Sequence, residues 1–501
     1  MRTAALLRAA GLAALAAAVS GAFAASPPPL VQAAKAGDTR AALTLVREAD
    51  VNAAEADGTT ALHWASRNDD VELATKLVEA GADPSARNRY GVTPLYLAAV
   101  NGSATMIRLL LDAGADPNEV GNDGETVLMT AARTGAVDAA RVLLERGAEV
   151  DARESWHGQT ALMWAAAQGH PDMIRLLVEH GADVNARSAH EIWERQTTAE
   201  PRAKWLPPGS MTPLLFAARE GCLACIPVLA ELGADLNATT PDGISAIVSA
   251  LINGHYDVAG ALIEAGTDVN LVDETGRSAL YAAIDFSTMP ASNRPAPYVL
   301  QNELSALDVA EMLLERGADV NVRLTSMPPY RAKLDRGNDM MLNAGTTPLL
   351  RAAKAGDVPA IKLLLAHGAD PALTNRDGID PLMAAAGLGT AEQDTTGRYK
   401  TEEQAIESIR LLIEAGLDVN ATDRRGRTAA HGAALQGYND VLRFLASVGA
   451  RLDVEDRNGH TPLDTALGLA GGFGFSGQEG VVREDTAAVI RELLAAQREQ
   501  G

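Results

Sequence analysis

One short pattern constrains this chain more than any other. Gly-Ala-Asp, or a close variant, recurs with its glycine at 81, 114, 147, 181, 233, 266, 317, 368, 416 and 449. Successive glycines stand apart by 33, 33, 34, 52, 33, 51, 51, 48 and 33. The unit length is therefore 33, and four intervals carry an excess of 19, 18, 18 and 15. A unit this small cannot bury its own apolar face. Stacked neighbours must share one continuous core, so the 501 residues form a repeat array rather than three or four independent domains.

A second motif holds the same phase. It reads Thr60-Ala61-Leu62-His63, Thr93-Pro94-Leu95-Tyr96, Thr126-Val127-Leu128-Met129 and Thr160-Ala161-Leu162-Met163, then runs on to Thr428-Ala429-Ala430-His431 and Thr461-Pro462-Leu463-Asp464. Thr or Ser opens a helix by accepting a hydrogen bond from an early backbone N–H. Pro in the next slot sits where its missing N–H costs nothing. Ala pairs such as Ala98-Ala99 and Ala352-Ala353 let two helices approach closely. Gly102, Gly135, Gly169, Gly221, Gly254 and Gly356 are placed to end that helix. A second helix follows, with paired leucines such as Leu109-Leu110 and Leu363-Leu364 turned to the core. Asp273…Gly276, Asn375…Gly378, Asp423…Gly426 and Asp456…Gly459 have the spacing of a type I turn at a hairpin tip.

These motifs resemble the ankyrin repeat family, whose unit looks like D-x-x-G-x-T-P-L-H-x-A-A-x-x-G-x-x-x-x-V-x-L-L-L-x-x-G-A-D. Eleven units match. The resemblance implies an all-α fold, an ankyrin-type α-solenoid of about twelve helix-turn-helix units joined by short β-hairpins. It also implies protein binding through the hairpin tips and the inner face of the first helices. The family's motif histidine bridges neighbouring backbone groups, and that role carries over to His63 and His431 only.

The expected layout is a signal peptide at 1–24 and a linker with a capping repeat at 25–56. Repeats 1–4 span 57–187, repeats 5–7 span 211–322, repeats 8–10 span 346–455, and a closing repeat spans 456–501. Five insertions break the period. Residues 188–210 and 323–345 fall at hairpins; 286–305, 387–404 and 468–484 fall between the two helices of one repeat. The leader reading rests on Arg2 and Arg8, the apolar run from Ala9 to Val19, and the small-x-small triplet Ala22-Phe23-Ala24. That run is too short for a membrane anchor, which needs about 20 apolar residues. The mature chain is expected to be exported, periplasmic or secreted, and monomeric.

Composition bounds the partners. The formal net charge is −22, which repels phosphate backbones and excludes nonspecific nucleic-acid binding. Aromatics are 4%, as expected of a core built from Ala and Leu. The scarce Trp gather where the repeat breaks. Trp156, Trp193 and Trp205 lie in or beside the first hairpin insertion; Met327, Tyr330 and Arg331 lie in the second. Trp, Tyr, Arg and Met are the types enriched at interface cores. These six residues are the candidate partner-binding set, and another protein is the expected partner. The alternative role for these side chains is to pin the loops onto the solenoid.

No nucleotide, hydrolase or metalloprotease motif occurs, and no cofactor, metal or catalytic residue is assigned. Eight of nine histidines occupy repeat slots; His190 alone does not. Cys222 and Cys225 form the one chemical motif. Their i, i+3 spacing at a helix start permits a local disulfide or a redox dithiol. Three functions follow: a non-catalytic scaffold, a thiol–disulfide protein using that pair, or a secreted effector.

Overall fold

The computed structural model describes residues 27–191, 208–288, 302–328, 343–389, 400–470 and 480–500. Among them are 24 helices and no extended strand. The helices alternate as first and second members of twelve pairs. None is long and apolar enough to cross a membrane. The chain divides into two compact bodies, Met1–Asp183 and Val184–Gly501.

In the amino-terminal body the first helices stack in one row: Pro29–Ala36, Ala61–Arg67, Pro94–Asn101, Val127–Thr134 and Ala161–Gln168. The second helices form a parallel row from Thr39–Leu45 to Pro171–Glu179. The carboxy-terminal body repeats the arrangement from Pro213–Glu220 to Glu484–Gln500. Local chemistry sets the helix bounds. The side chain of Thr93 accepts from Tyr96 N–H, and those of Thr60, Thr160 and Thr347 accept from the equivalent N–H groups. Each such cap contributes ~1 kcal/mol. Gly135 ends its helix with φ 71°, and a Cβ there would lie 2.7 Å from the His170 ring. Position 254 departs from expectation: the helix stops at Ile252 with Asn253 as its cap.

The core between the rows is aliphatic. Leu62, Leu95, Ala98, Leu110, Ala165 and Leu177 are each 0% exposed. Emptying one such leucine to alanine costs ~2–5 kcal/mol.

Three polar ladders tie repeat to repeat. On the hairpin side, an Asn side chain donates to the glycine carbonyl of the next repeat and accepts that repeat's backbone N–H. Asn52 bonds Gly81 O at 3.1 Å and Asp83 N at 2.8 Å; Asn118, Asn270 and Asn420 do the same. At the opposite edge, a loop side chain donates to a carbonyl at or just past the end of the previous first helix, as Asn68 does to Ala34 O and Asn302 to Gly254 O. The third ladder is the histidine bridge. His63 Nδ1 lies 2.8 Å from Thr60 Oγ1, and its Nε2 lies 3.0 Å from Val92 O in the next repeat. His431 repeats this with Thr428 and His460 O. Burial pushes both imidazoles below the ordinary histidine pKa, so they are held neutral. Asp464 holds the same slot and keeps half the bond: its Oδ2 accepts from Thr461 N–H and Oγ1.

The connections differ from full β-hairpins. Most are held by a tight turn, such as Gly276 N–H to Asp273 O at 2.9 Å, and some add one isolated bridge, such as Val272 with Ser278. The two hairpin insertions leave and return as paired backbone, His190 bridging Gly209 and Leu324 bonding Gly345 and Thr346. Insertion 286–305 starts later than expected, because its helix, Ala279–Thr288, continues past residue 286.

Candidate binding surface

The hairpins of the amino-terminal body form a linked row. Arg89 N–H donates to Asp57 O at 2.7 Å, Asn122 Nδ2 to Tyr90 O at 2.9 Å, and Ser155 N–H to Asp123 O at 3.1 Å. Arg87 Nη1 also donates to Val120 O at 2.9 Å. Each tip is thus fixed by its neighbour. Along this row three apolar side chains stand in solvent: Tyr90, Val120 and Trp156, exposed by 57%, 45% and 76%.

Trp156 is held by an unusual hairpin. The interval from Gly147 to Gly181 is 34, one more than the unit. The enlarged turn begins with Glu154, where Asn88, Asp273, Asn375, Asp423 and Asp456 stand in five other repeats. Its longer side chain reaches the backbone N–H groups of Trp156, His157 and Gln159 at 2.5, 2.8 and 2.9 Å. Arg153 Nη1 closes the loop on Gly158 O at 2.9 Å. Glu154 is itself buried, while Trp156 stacks on His157 with ring centroids 5.2 Å apart. A rigid backbone therefore carries an exposed indole.

The other candidates fare differently. Trp193, Trp205, Tyr330 and Arg331 lie outside the described residues. Met327 is half-buried at the base of its insertion. The sequence reading missed Trp64 and Trp164, which occupy the fifth slot of the first-helix motif and are both half-buried. Trp64 is flanked by Lys35 Nζ at 4.8 Å and Arg67 at 5.4 Å from its ring centroid. Their shared slot, four residues after the capping Thr, was the available signal.

Cys222 and Cys225 are joined as a disulfide, with Cα atoms 5.3 Å apart. The helix starts later than the pair's placement at a helix start implied; it runs Cys225–Glu231, and Leu223-Ala224 form a turn before it. The short bridge takes the place of the first helical turn. Cys225 is fully buried and Cys222 half-buried.

Comparison with known proteins bears on this surface. Models described as "Ankyrin repeats (3 copies)" match residues 30–120, 114–188, 214–323 and 400–472, and one described as "Ankyrin repeats (many copies)" matches 338–391. The chain belongs to the ankyrin repeat family. Human "Ankyrin repeat and SOCS box protein 16" is 30% identical over 255 residues, 51% of this chain and 47% of that protein. "Putative ankyrin repeat protein YahD" of Escherichia coli (strain K12) is 28% identical over 237 residues, 47% of this chain and 95% of that protein. The solved human ASB11 ankyrin repeat domain aligns over 48% of this chain and 99% of that one, with TM-score 0.40 and 27% identity. This ankyrin chain spans about half the length of its human relative. Ankyrin repeats generally mediate protein–protein binding, and the exposed hairpin row is a surface suited to it.

Proposed function

We propose that this protein is an exported, non-catalytic scaffold that captures a partner protein on its hairpin edge. One observation carries the reading: an indole 76% exposed on a loop whose backbone Glu154 fixes by three hydrogen bonds. Exposing a tryptophan to water is costly unless something covers it, and holding it rigid lowers the entropy lost on binding. The repeat scaffold supplies the stiffness, and the neighbouring Tyr90 and Val120 extend the contact area.

Export is supported by the leader pattern around Arg2, Arg8 and Ala22-Phe23-Ala24. The Cys222–Cys225 disulfide fits an oxidising compartment. Crosslinking pull-down from the exported fraction tests both parts. We expect a crosslinked partner in the periplasmic fraction with the parent protein and its loss with Trp156→Ala at unchanged melting temperature. Capture that ignores Trp156 defeats the binding reading. Absence from the periplasm, with recovery outside the cell, would favour a secreted effector.

The half-buried Cys222 favours one second reading, thiol–disulfide exchange at that sulfur. Thiol alkylation after incubation with a mild dithiol tests it. A pair that stays oxidised defeats it.

A further inference from the structure

The charge of the amino-terminal body is unevenly placed. Residues 27–183 hold 23 acidic and 13 basic side chains, a formal charge of −10. The four hairpin segments 50–59, 83–92, 116–125 and 149–159 hold 11 acidic and three basic of these. Those short segments thus carry −8, and the much longer remainder of 27–183 carries only −2. The helical rows are nearly neutral, and the acidity lies on the edge that bears Tyr90, Val120 and Trp156.

Most of these carboxylates face water. Asp123, Asp116, Glu149 and Asp50 are exposed or half-exposed, while Glu119 and Glu154 are buried in structural roles. Burial raises the pKa of Glu119. The acidity is greatest in the hairpins that bear Val120 and Trp156, while the hairpin of Tyr90 holds Arg87 and Arg89 against Asp83. An aromatic face beside carboxylates suits a cation better than any neutral or acidic group, because the ring quadrupole and the carboxylates attract it together. The edge already does this once within the chain: the Arg89 guanidinium lies 5.0 Å from the Tyr90 ring centroid.

Building on the protein-binding reading, we propose that the hairpin edge of residues 50–159 takes a basic polypeptide segment of its partner. Arginine or lysine side chains would lie against Trp156 and the exposed carboxylates, and interleaved apolar side chains against Tyr90 and Val120. The tips are tied to one another by hydrogen bonds, so they offer a preset track rather than three separate contacts. Like charge disfavours a second copy of this edge, and phosphate-bearing polymers equally.

The test uses the full chain and three labelled octapeptides alternating Leu with Arg, Asp or Ser, followed by fluorescence anisotropy. We expect saturable binding of the Arg-Leu peptide alone. Its Kd should rise at least tenfold with Trp156→Ala and several-fold between 50 and 300 mM salt. A milder rise with less salt dependence is expected for Asp123→Asn with Glu125→Gln. Circular dichroism checks that each variant folds, as the exposure of residue 156 predicts. Equal binding of the Asp-Leu or Ser-Leu peptide, still lost with Trp156→Ala, overturns the charge inference and leaves the binding edge intact. Indifference of the Arg-Leu peptide to Trp156→Ala overturns the inference. If crosslinked capture also ignores Trp156, the binding edge falls with it. Dimerisation abolished by Trp156→Ala would put a second copy on the edge and equally overturn the inference.

Discussion

The same helix face meets two fates in this molecule. In the amino-terminal body the eighth motif slot carries Arg67 and Val100, both exposed. In the carboxy-terminal body it carries Asp285 and Lys354, which are 1% and 5% exposed. Every residue of Pro348–Ala355 and of Pro381–Ala385 is buried, and all but Ser287 in Ala279–Thr288. Here the buried face contains charge. Arg351 Nε donates to Asp285 Oδ1 at 2.5 Å, with both side chains almost wholly out of water. Lys400, at the end of an insertion, donates from Nζ to Lys354 O and Ala384 O, closing the ends of two neighbouring helices. The face is open at Arg67 and Val100, whereas in the first helices Ala279–Thr288, Pro348–Ala355 and Pro381–Ala385 it has become interior. A solenoid slot therefore prescribes direction, and its neighbours decide whether that direction leads to water.

The largest way to break this contrast is to cut the buried pair. Asp285→Ala leaves the Arg351 guanidinium without its carboxylate in a dry site, and should cost ~3–5 kcal/mol. Glu79→Ala removes an equally short contact to Lys76, but both partners there are more than half exposed, so less than about 1 kcal/mol is expected. Urea denaturation of the two variants gives the comparison. Replacing the pair together, Asp285→Leu with Arg351→Met, should recover much of the loss. Equal effects for the single variants would mean that the burial of Asp285 does not matter.

The next test is a pH dependence confined to the closed region. Asp380 caps its helix where Thr93 caps an open one; its side chain accepts from Met383 N–H at 2.7 Å and is 5% exposed. Burial raises its pKa from 3.8 to about 6. The folded state therefore holds the proton more tightly than the unfolded chain. The resulting stability is fully present below pH 4 and is lost as pH rises through 6, on the order of 3 kcal/mol. Asp380→Thr keeps the cap without the charge. It should raise the melting temperature at pH 7.5 and lose that advantage at pH 4. A gain that is the same at both pH values would show that the carboxylate is not the cause.

Much of this was legible because a period repeats its chemistry. The capping Thr, the Ala pairs and the ending glycines each recur often enough to be read as one device. The Asn ladder was legible too, since Asn118, Asn185, Asn237, Asn270, Asn321 and Asn420 all stand four residues after a Gly-Ala-Asp glycine. So was the Trp156 loop, whose interval is 34 where a plain repeat has 33. What could not be read is which slots end up buried. Asp285 and Arg351 are 66 residues apart, and nothing in either neighbourhood marks them as partners. Their pairing depends on how two repeats register across an insertion, which periodicity alone does not contain.

The smallest expected effect comes from the disulfide, and it sharpens the comparison because it acts on one helix start. The matching second helices, Pro171–Glu179 and Tyr256–Glu264, have nine residues; Cys225–Glu231 has seven. Cys222 stands in the capping position, and its Sγ accepts from Cys225 N–H at 3.1 Å, as Ser103 Oγ accepts from Met106 N–H at 3.3 Å. The bridge thus joins covalently two positions that other repeats join by a hydrogen bond. Closing so short a loop stabilises by about 2 kcal/mol at most. Cys222→Ala with Cys225→Ala should lose that amount. Cys222→Ser with Cys225→Ala should recover about 1 kcal/mol, because the hydroxyl can cap the helix and extend it back to Leu223. Hydrogen exchange would then show slower amides at positions 224 and 225 in the serine variant than in the alanine one. Identical exchange in the two would mean that the bridge, and not the capping position, sets where this helix begins.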